Sequence, residues 1–387
     1  MRRALVAVLG ASLALAIGTA TATASPGQFA GDSSASGQGA GALAGTVQGA
    51  PSDTASGAEV LSPGDSGDVS QSNDATANAG AVNLNGTGQE IDQSQGSDGT
   101  QVAGQANDSD QSAAAGAFAV QEDPSNTAVG IGVLSPGDGG DVEQSNSADA
   151  GALAANGNLT GQDIDQSQGG APAAAPTLTS APPPCGCESD GGTQVAGQKN
   201  DSDQSAHAGA AAIQEKPSNT AVGIRVLSPG DGGDVEQSNS ADAGALAANG
   251  NFTHQDIDQS QGDGKYPCGC GEDGTQVAGQ ANESGQHAFS LGLAAQLRPS
   301  NTASSTKVGD SRGCGCDWRL KKVAPSGSGD VEQSNDASAK AGALNLNATG
   351  QDIDQKGGGT QVAGQLNKSW QGAAALAAAL QLSLIHI

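Results

Sequence analysis

From Val142 to Gln168, alternate residues read Val, Gln, Asn, Ala, Ala, Ala, Ala, Asn, Asn, Thr, Gln, Ile, Gln, Gln. The residues between them are Glu, Ser, Asp, Gly, Leu and Ala in no fixed order. The same alternate series runs from Val69 to Gln95 and from Val235 to Gln261, and again from Val331 with Gly357 in place of the last Gln. A period of two means strand, because successive side chains point to opposite faces. One face is therefore fixed in size and chemistry and the other is free. An Ala-rich window such as 373–380 has helical propensity, but a helix does not maintain alternation across Gly and Asn for more than twenty residues.

A second, shorter series follows each "TQVAGQ". From Gln101 it reads Gln, Ala, Gln, Asn, Ser, Gln, four Ala, Gln, ending at Gln121. It recurs over 194–214, over 276–296 with Ser290 and Gly292 among the alanines, and over 361–381. A worn copy, Gln38 to Gln48, lies inside an N-terminal repeat over 25–58, and the repeat region proper covers 59–381. The long arms (69–95, 142–168, 235–261, 331–357) thus alternate with short arms.

The expected fold class is all-β: a repetitive solenoid of long and short arms with an Ala, Asn and Gln interior, interrupted by irregular Cys-containing insertions. A straight long arm would span about 90 Å, so corners that preserve parity are expected within it. Aromatic residues make up 2% of the chain and there is one Met, which rules out a conventional core. An inward Ala hides one methyl, about 0.8 kcal/mol, against roughly 1–2 kcal/mol of backbone entropy. Amide and backbone ladders between rungs must supply the rest. The short arms also carry outward apolar residues, Phe118, Val120, Ile213, Phe289, Leu291, Leu293, Leu376 and Leu380. A strand apolar on both faces is normally covered, and the connector "NTAVGIGVLSPGD" (126–138) is the expected cover, ahead of another molecule.

Residues 1–24 read as an export leader: Arg2 and Arg3, an apolar run from Ala4 to Ile17, and the small-residue site Ala22-Thr23-Ala24. That run is too short for a membrane anchor, so a secreted or cell-surface chain beginning near Ser25 is expected, with a bacterial style of leader and no membrane span. The last six residues, 382–387 ("LSLIHI"), match the translation of a sequencing-library adaptor and are expected to be foreign. The formal charge is −26, which disfavours nucleic acid and anionic membranes as partners. Self-association, or contact with other cell-surface and matrix components, is expected instead.

Candidate chemistry is sparse. Six cysteines form three Cys-Gly-Cys triplets, Cys185/Cys187, Cys268/Cys270 and Cys314/Cys316. An even count in an exported chain points to disulfides; zinc thiolate and free thiols are the alternatives. "GDSG" at 64–67 resembles the nucleophile segment of chymotrypsin-like proteases, but its counterparts read "GDGG" (137–140, 230–233) and "SGSG" (326–329). The histidines occupy non-equivalent places, and no enzyme or cofactor is expected. "PGDGGDVEQ" (136–144) resembles the calcium turns of Gly- and Asp-rich bacterial repeats. It occurs once per long arm, where the family repeats every nine residues. The resemblance implies Ca²⁺ on Asp138, Asp141 and Glu143, with Asp231 and Asp234 as counterparts; a Pro-Gly turn with solvated acids is the alternative.

Within "TQVAGQANDSDQ" (100–111), Gln101, Gly104, Asn107 and Gln111 resemble bacterial curlin repeats. In those, Gln and Asn ladders line a β-solenoid amyloid. The resemblance covers the short arms only, with spacings that differ by about a residue, and implies an extracellular fibre subunit. The leading functional expectation is an exported structural protein able to form fibres. The alternatives are a solenoid that binds Ca²⁺, glycan or ice, and a disordered acidic spacer.

Overall fold

A computed structural model of the chain describes residues 12–23, 27–62, 64, 66–95, 99–135, 137–168, 192–228, 232–262, 274–308 and 329–382. Each long arm is one strand: β4 (Val69–Gln95), β7 (Val142–Gln168), β10 (Val235–Gln261) and β13 (Val331–Lys356). Each short arm is likewise one strand: β2 (Gln28–Gly49), β5 (Thr100–Glu122), β8 (Thr193–Glu215), β11 (Thr275–Leu297) and β14 (Thr360–Leu382). The connectors form a third set, β3 (Ser52–Val60), β6 (Ser125–Val133), β9 (Ser218–Val226) and β12 (Ser300–Val308), and β1 (Ser12–Thr23) precedes all of them. The window 373–380 is strand within β14, not helix.

Like stacks on like. The sheets run β1-β4-β7-β10-β13, β2-β5-β8-β11-β14 and β3-β6-β9-β12, and every pairing is parallel. Register is repeat on repeat: Asn83, Asn156, Asn249 and Asn345 share one column, as do Ile91, Ile164, Ile257 and Ile353. One coil of the solenoid is therefore a long arm, a short arm and a connector.

The long arms do not turn corners. β4 runs unbroken beside β7 from Val69 to Gln95, and β5 folds back to face it along its length. Gln93 donates to the Val102 carbonyl at 3.0 Å, Gln89 to Ala106 at 3.1 Å, and Gln121 to Asn73 at 2.9 Å. The expectation of internal corners fails because these strands are supported by rungs above and below, so the width of a globular core does not limit their length. The reversals fall between arms instead. Ala50, Asp123, Lys216 and Arg298 end the short arms with φ of 47–56°, and Leu61, Leu134 and Leu227 end the connectors with φ of 55–56°. A non-Gly residue held there costs of order 1–3 kcal/mol. Stacking holds it: Asp123 N–H donates to Glu215 O at 2.8 Å, and Leu134 N–H to Val226 O at 2.9 Å, each in the next rung.

The fixed face is the interior. Ala75, Ala113, Ala148, Ala206 and Ala241 are fully buried in one alanine cluster, and Ile91, Ile164 and Ile257 in a second. Gly292 shows why one alanine position is vacated: a Cβ there would overlap the Lys340 backbone carbonyl region. The described residues form an ordered stack of strands.

Candidate assembly interface: the ends of the amide ladders

Many inward amides bond twice, once along the stack and once across it. Gln162 Nε2 donates to Gln89 Oε1 at 2.7 Å and to the Lys199 carbonyl at 3.2 Å, while its own Oε1 accepts from Gln255 at 2.7 Å. Asn156 Nδ2 donates to Asn249 at 3.0 Å and to the Ser205 carbonyl at 2.7 Å. Both amide hydrogens are thereby satisfied in a dry interior, which is the condition for burying such a group at all.

The ladders have direction. In the glutamine columns the later rung donates to the earlier one: Gln365 to Gln280 to Gln198 to Gln105, each at 3.1 Å. The asparagine columns run the other way: Asn107 donates to Asn200, Asn200 to Asn282 and Asn282 to Asn367, at 2.7, 2.7 and 3.0 Å. Aligned amides polarise one another, so each column has a donor end and an acceptor end. On the last rung described, Gln361, Gln365 and Gln371 face onward with their carbonyl oxygens. On the first rung Gln28 and Gln48 accept from Gln101 and Gln121 at 3.2 and 2.9 Å and donate across the stack to the Ser94 and Asp74 carbonyls at 3.1 and 2.8 Å, whereas both amide atoms of Gln38 are buried without a hydrogen-bond partner.

That first rung extends well beyond the worn copy read in the sequence. β2 begins at Gln28, and its inward residues take the short-arm columns in order, from Gln28 beside Gln101 to Gln48 beside Gln121. Against β14 in the same columns they differ only where Asp32 replaces Gln365, Ser34 replaces Asn367 and Thr46 replaces Ala379. Ser34 closes the asparagine column by donating to Asn107 Oδ1 at 2.6 Å. Asp32 does not close the glutamine column: its Oδ2 is buried with no hydrogen-bond partner. β1 pairs with Asn83–Ser94 of β4.

The turn acids form a ladder of their own. Asp68 Oδ1 accepts the backbone N–H of Asp141 at 3.1 Å, Asp141 that of Asp234 at 2.9 Å, and Asp234 that of Asp330 at 2.8 Å. Of the residues proposed for Ca²⁺, Asp141 and Asp234 thus stitch one strand start to the next, Asp138 and Glu143 lie at the same turn, and Asp231 lies outside the described residues. Among the described residues, no three His, Cys, Asp or Glu side chains gather as a metal cluster. All six cysteines fall outside the described residues. Ser66 sits in the same stacked turn, its N–H on the Asp138 carbonyl at 2.9 Å.

The outward face of the long arms carries an unanticipated acidic ridge. Glu90, Asp163, Asp256 and Asp352 form one column, and Asp92, Asp165, Asp258 and Asp354 another. Partial burial, then repulsion from Asp165, Asp256, Glu90 and Asp258, pushes Asp163 up to about 6. Asp165 and Asp256 are raised by the same causes. The signal was the acid-Ile-Asp triplet recurring once per long arm, "EID" at 90–92 and "DID" at 163–165, 256–258 and 352–354, legible only when the arms are stacked.

The connectors do not cover the short arms. β6 packs beside the start of the long arms, with Asn126 donating to the Ser145 carbonyl at 2.8 Å and Gln71 donating to Thr127 at 3.3 Å. A cavity of about 230 Å³ lies between this connector sheet and the glycine turns, lined by Val129, Ile131, Val222 and Arg225. Phe118, Phe289, Leu291, Leu293, Leu376 and Leu380 consequently stay 37–59% exposed. No helix among the described residues is long and apolar enough to cross a membrane.

These features define an all-β, parallel solenoid of three stacked sheets, with alanine and isoleucine clusters and amide ladders for a core. The chain matches no family model, no curated protein and no solved structure.

Proposed function

We propose that the protein is an exported structural protein of the cell surface or extracellular matrix whose solenoids join head to tail into fibres. The observation that supports this reading is the direction of the ladders: each glutamine column donates from the later rung to the earlier in one register, so that one stack can continue another. β14 and β2 share most of their inward residues in one register. A contact between different ends of identical subunits does not close on itself and generates a filament. Strand edges with unpaired N–H and C=O groups add the backbone ladder to the contact. The leader supports export, and the curlin-like Gln and Asn pattern supports an extracellular fibre. Mutual repulsion of strongly acidic subunits opposes joining until salt screens it.

The full-length exported protein, incubated at low and high salt and followed by electron microscopy and sedimentation, is expected to give fibres whose growth rises with protein concentration and with ionic strength. A folded monomer that persists in both conditions overturns the reading. Export also implies oxidised cysteines: unreduced mass spectrometry should find no free thiol among Cys185, Cys187, Cys268, Cys270, Cys314 and Cys316. Stoichiometric zinc, with all six alkylatable after chelation, would instead establish a thiolate site.

A further inference from the structure

The outward face of the short-arm sheet is divided in two. Its half nearest the connectors comprises five outward positions on each of five strands, from Gly39–Val47 on β2 to Gly372–Leu380 on β14. That block contains no Asp, Glu, Lys or Arg, in a chain of formal charge −26. It contains Leu43, Val47, Phe118, Phe289, Leu291 and Leu376, all exposed by 38–80%. The surface is also level. The Phe118 ring lies over Gly45 in the adjacent rung, where a Cβ would overlap it, and Leu43 lies over Gly116. Large side chains therefore fill the places left by small ones and do not stand as isolated knobs.

We propose that the chain pairs face to face with a second copy of itself through this uncharged half of the short-arm sheet. Size, charge and repeat all favour that occupant. Five strands at ~4.8 Å and five alternate residues at ~6.8 Å cover about 800 Å², which is the share each partner contributes to a stable interface. Two such acidic molecules meet elsewhere at the cost of like-charge repulsion, whereas here only the margins carry acids: Asp110 and Asp203 on one side, Glu122 and Glu215 on the other. A second copy also has the same spacing between rungs, so ridges and hollows stay matched along the whole stack, as in dry sheet-to-sheet contacts. Exposed apolar residues on the long-arm sheet, such as Leu159 and Phe252, compete less well. Lys340 stands within their block, and the column of Glu90, Asp163, Asp256 and Asp352, acidic on all four strands, borders it and would be set against its own copy.

The pairing goes beyond head-to-tail growth and does not depend on it. Sedimentation of the full-length protein at low salt, before fibres form, should give a mass of two chains. Leu291→Glu combined with Leu376→Glu should give a mass of one chain, or weaken pairing by about tenfold or more, with an unchanged strand signal in circular dichroism. Val47→Glu, on the first rung, provides a second disruption at a site 69% exposed, so a folding defect in the double variant leaves the question decidable. Leu159→Glu should remain paired. Fibres of single-solenoid width, a monomeric wild type, or a dimer abolished by Leu159→Glu and untouched by the other changes would overturn the proposal. Discrete dimers that never elongate would uphold the pairing while removing the fibre reading.

Discussion

Ala150 and Asp149 are chain neighbours with opposite surroundings. Ala150 is 5% exposed within the alanine cluster, whereas Asp149 is half-buried on the outer face and accepts from the Ser147 hydroxyl at 2.9 Å. Ala150→Asp is expected to destabilise the fold by several kcal/mol, because an unpaired carboxylate has no solvent or partner there. Asp149→Ala should lie within about 0.5 kcal/mol of wild type, as surface changes usually do. Equal shifts in melting midpoint would contradict the assignment of faces. At this scale the sequence was fully informative: strict alternation admits one inside and one outside. The left-handed turn residues were not legible. Ala50, Asp123, Lys216 and Arg298 share no residue type, and what holds their backbone is a carbonyl in the next rung.

An arm is stable only as a member of a column, and its position in the column sets the energy of each residue. Gln162→Ala removes an amide with a glutamine partner on each side and should cost about 2–3 kcal/mol, since buried partners lose their bonds. Gln351→Ala, in β13, has a glutamine on one side only, Gln255 at 2.8 Å, and should cost clearly less. Chemical denaturation of the two variants gives the comparison, and equal losses would argue against ladder bonds as the source of rung stability.

Columns also set the response to pH. Asp163, Asp165 and Asp256 have folded-state values raised above the unfolded one, so the native stack holds their protons more tightly. The contribution of Asp163 is complete below the ordinary carboxylate value of 3.8 and is lost as pH rises through about 6, and those of Asp165 and Asp256 change in the same direction. Melting temperature should therefore rise from about pH 7 to about pH 4, and Asp163→Asn should raise it at neutral pH while flattening the dependence. A midpoint that falls on acidification would contradict this.

Arm boundaries were legible because both arms keep parity to their ends: the long arms read at 69–95, 142–168 and 235–261 are strands over those same residues. The connector strands were not. Only Asn126 and Ala128 continue the inward pattern before Gly130 interrupts it, too short a run to distinguish strand from loop. The aspartate ladder escaped notice because each carboxylate bonds to a backbone N–H 73 to 96 residues away.

For the whole molecule, the decisive residue is the one that breaks the glutamine series. Asp32 occupies the column of Gln105, Gln198, Gln280 and Gln365 on the first rung, and its Oδ2 is buried without a partner. A carboxylate accepts hydrogen bonds and donates none. When a second solenoid approaches with β14 leading, its Gln365 oxygen meets that carboxylate, acceptor against acceptor. An inward charge on an edge strand is a recognised device against uncontrolled strand addition. Asp32 thus acts as a brake on head-to-tail growth, while Gln28 and Gln48 in the same strand continue their glutamine columns. Asp32→Gln restores a side chain that can accept from Gln105 and donate to the incoming Gln365. Its expected effect is faster elongation from preformed seeds, by about tenfold or more, because removing one unpaired buried charge is worth at least ~1.4 kcal/mol. Asp32→Glu, which keeps the charge, should leave the rate near wild type. The measurement is fibre growth on wild-type seeds by light scattering, with morphology checked by electron microscopy. If Asp32→Gln grows no faster than Asp32→Glu, the glutamine column does not cross the junction between subunits, and the fibres must be joined through some other surface.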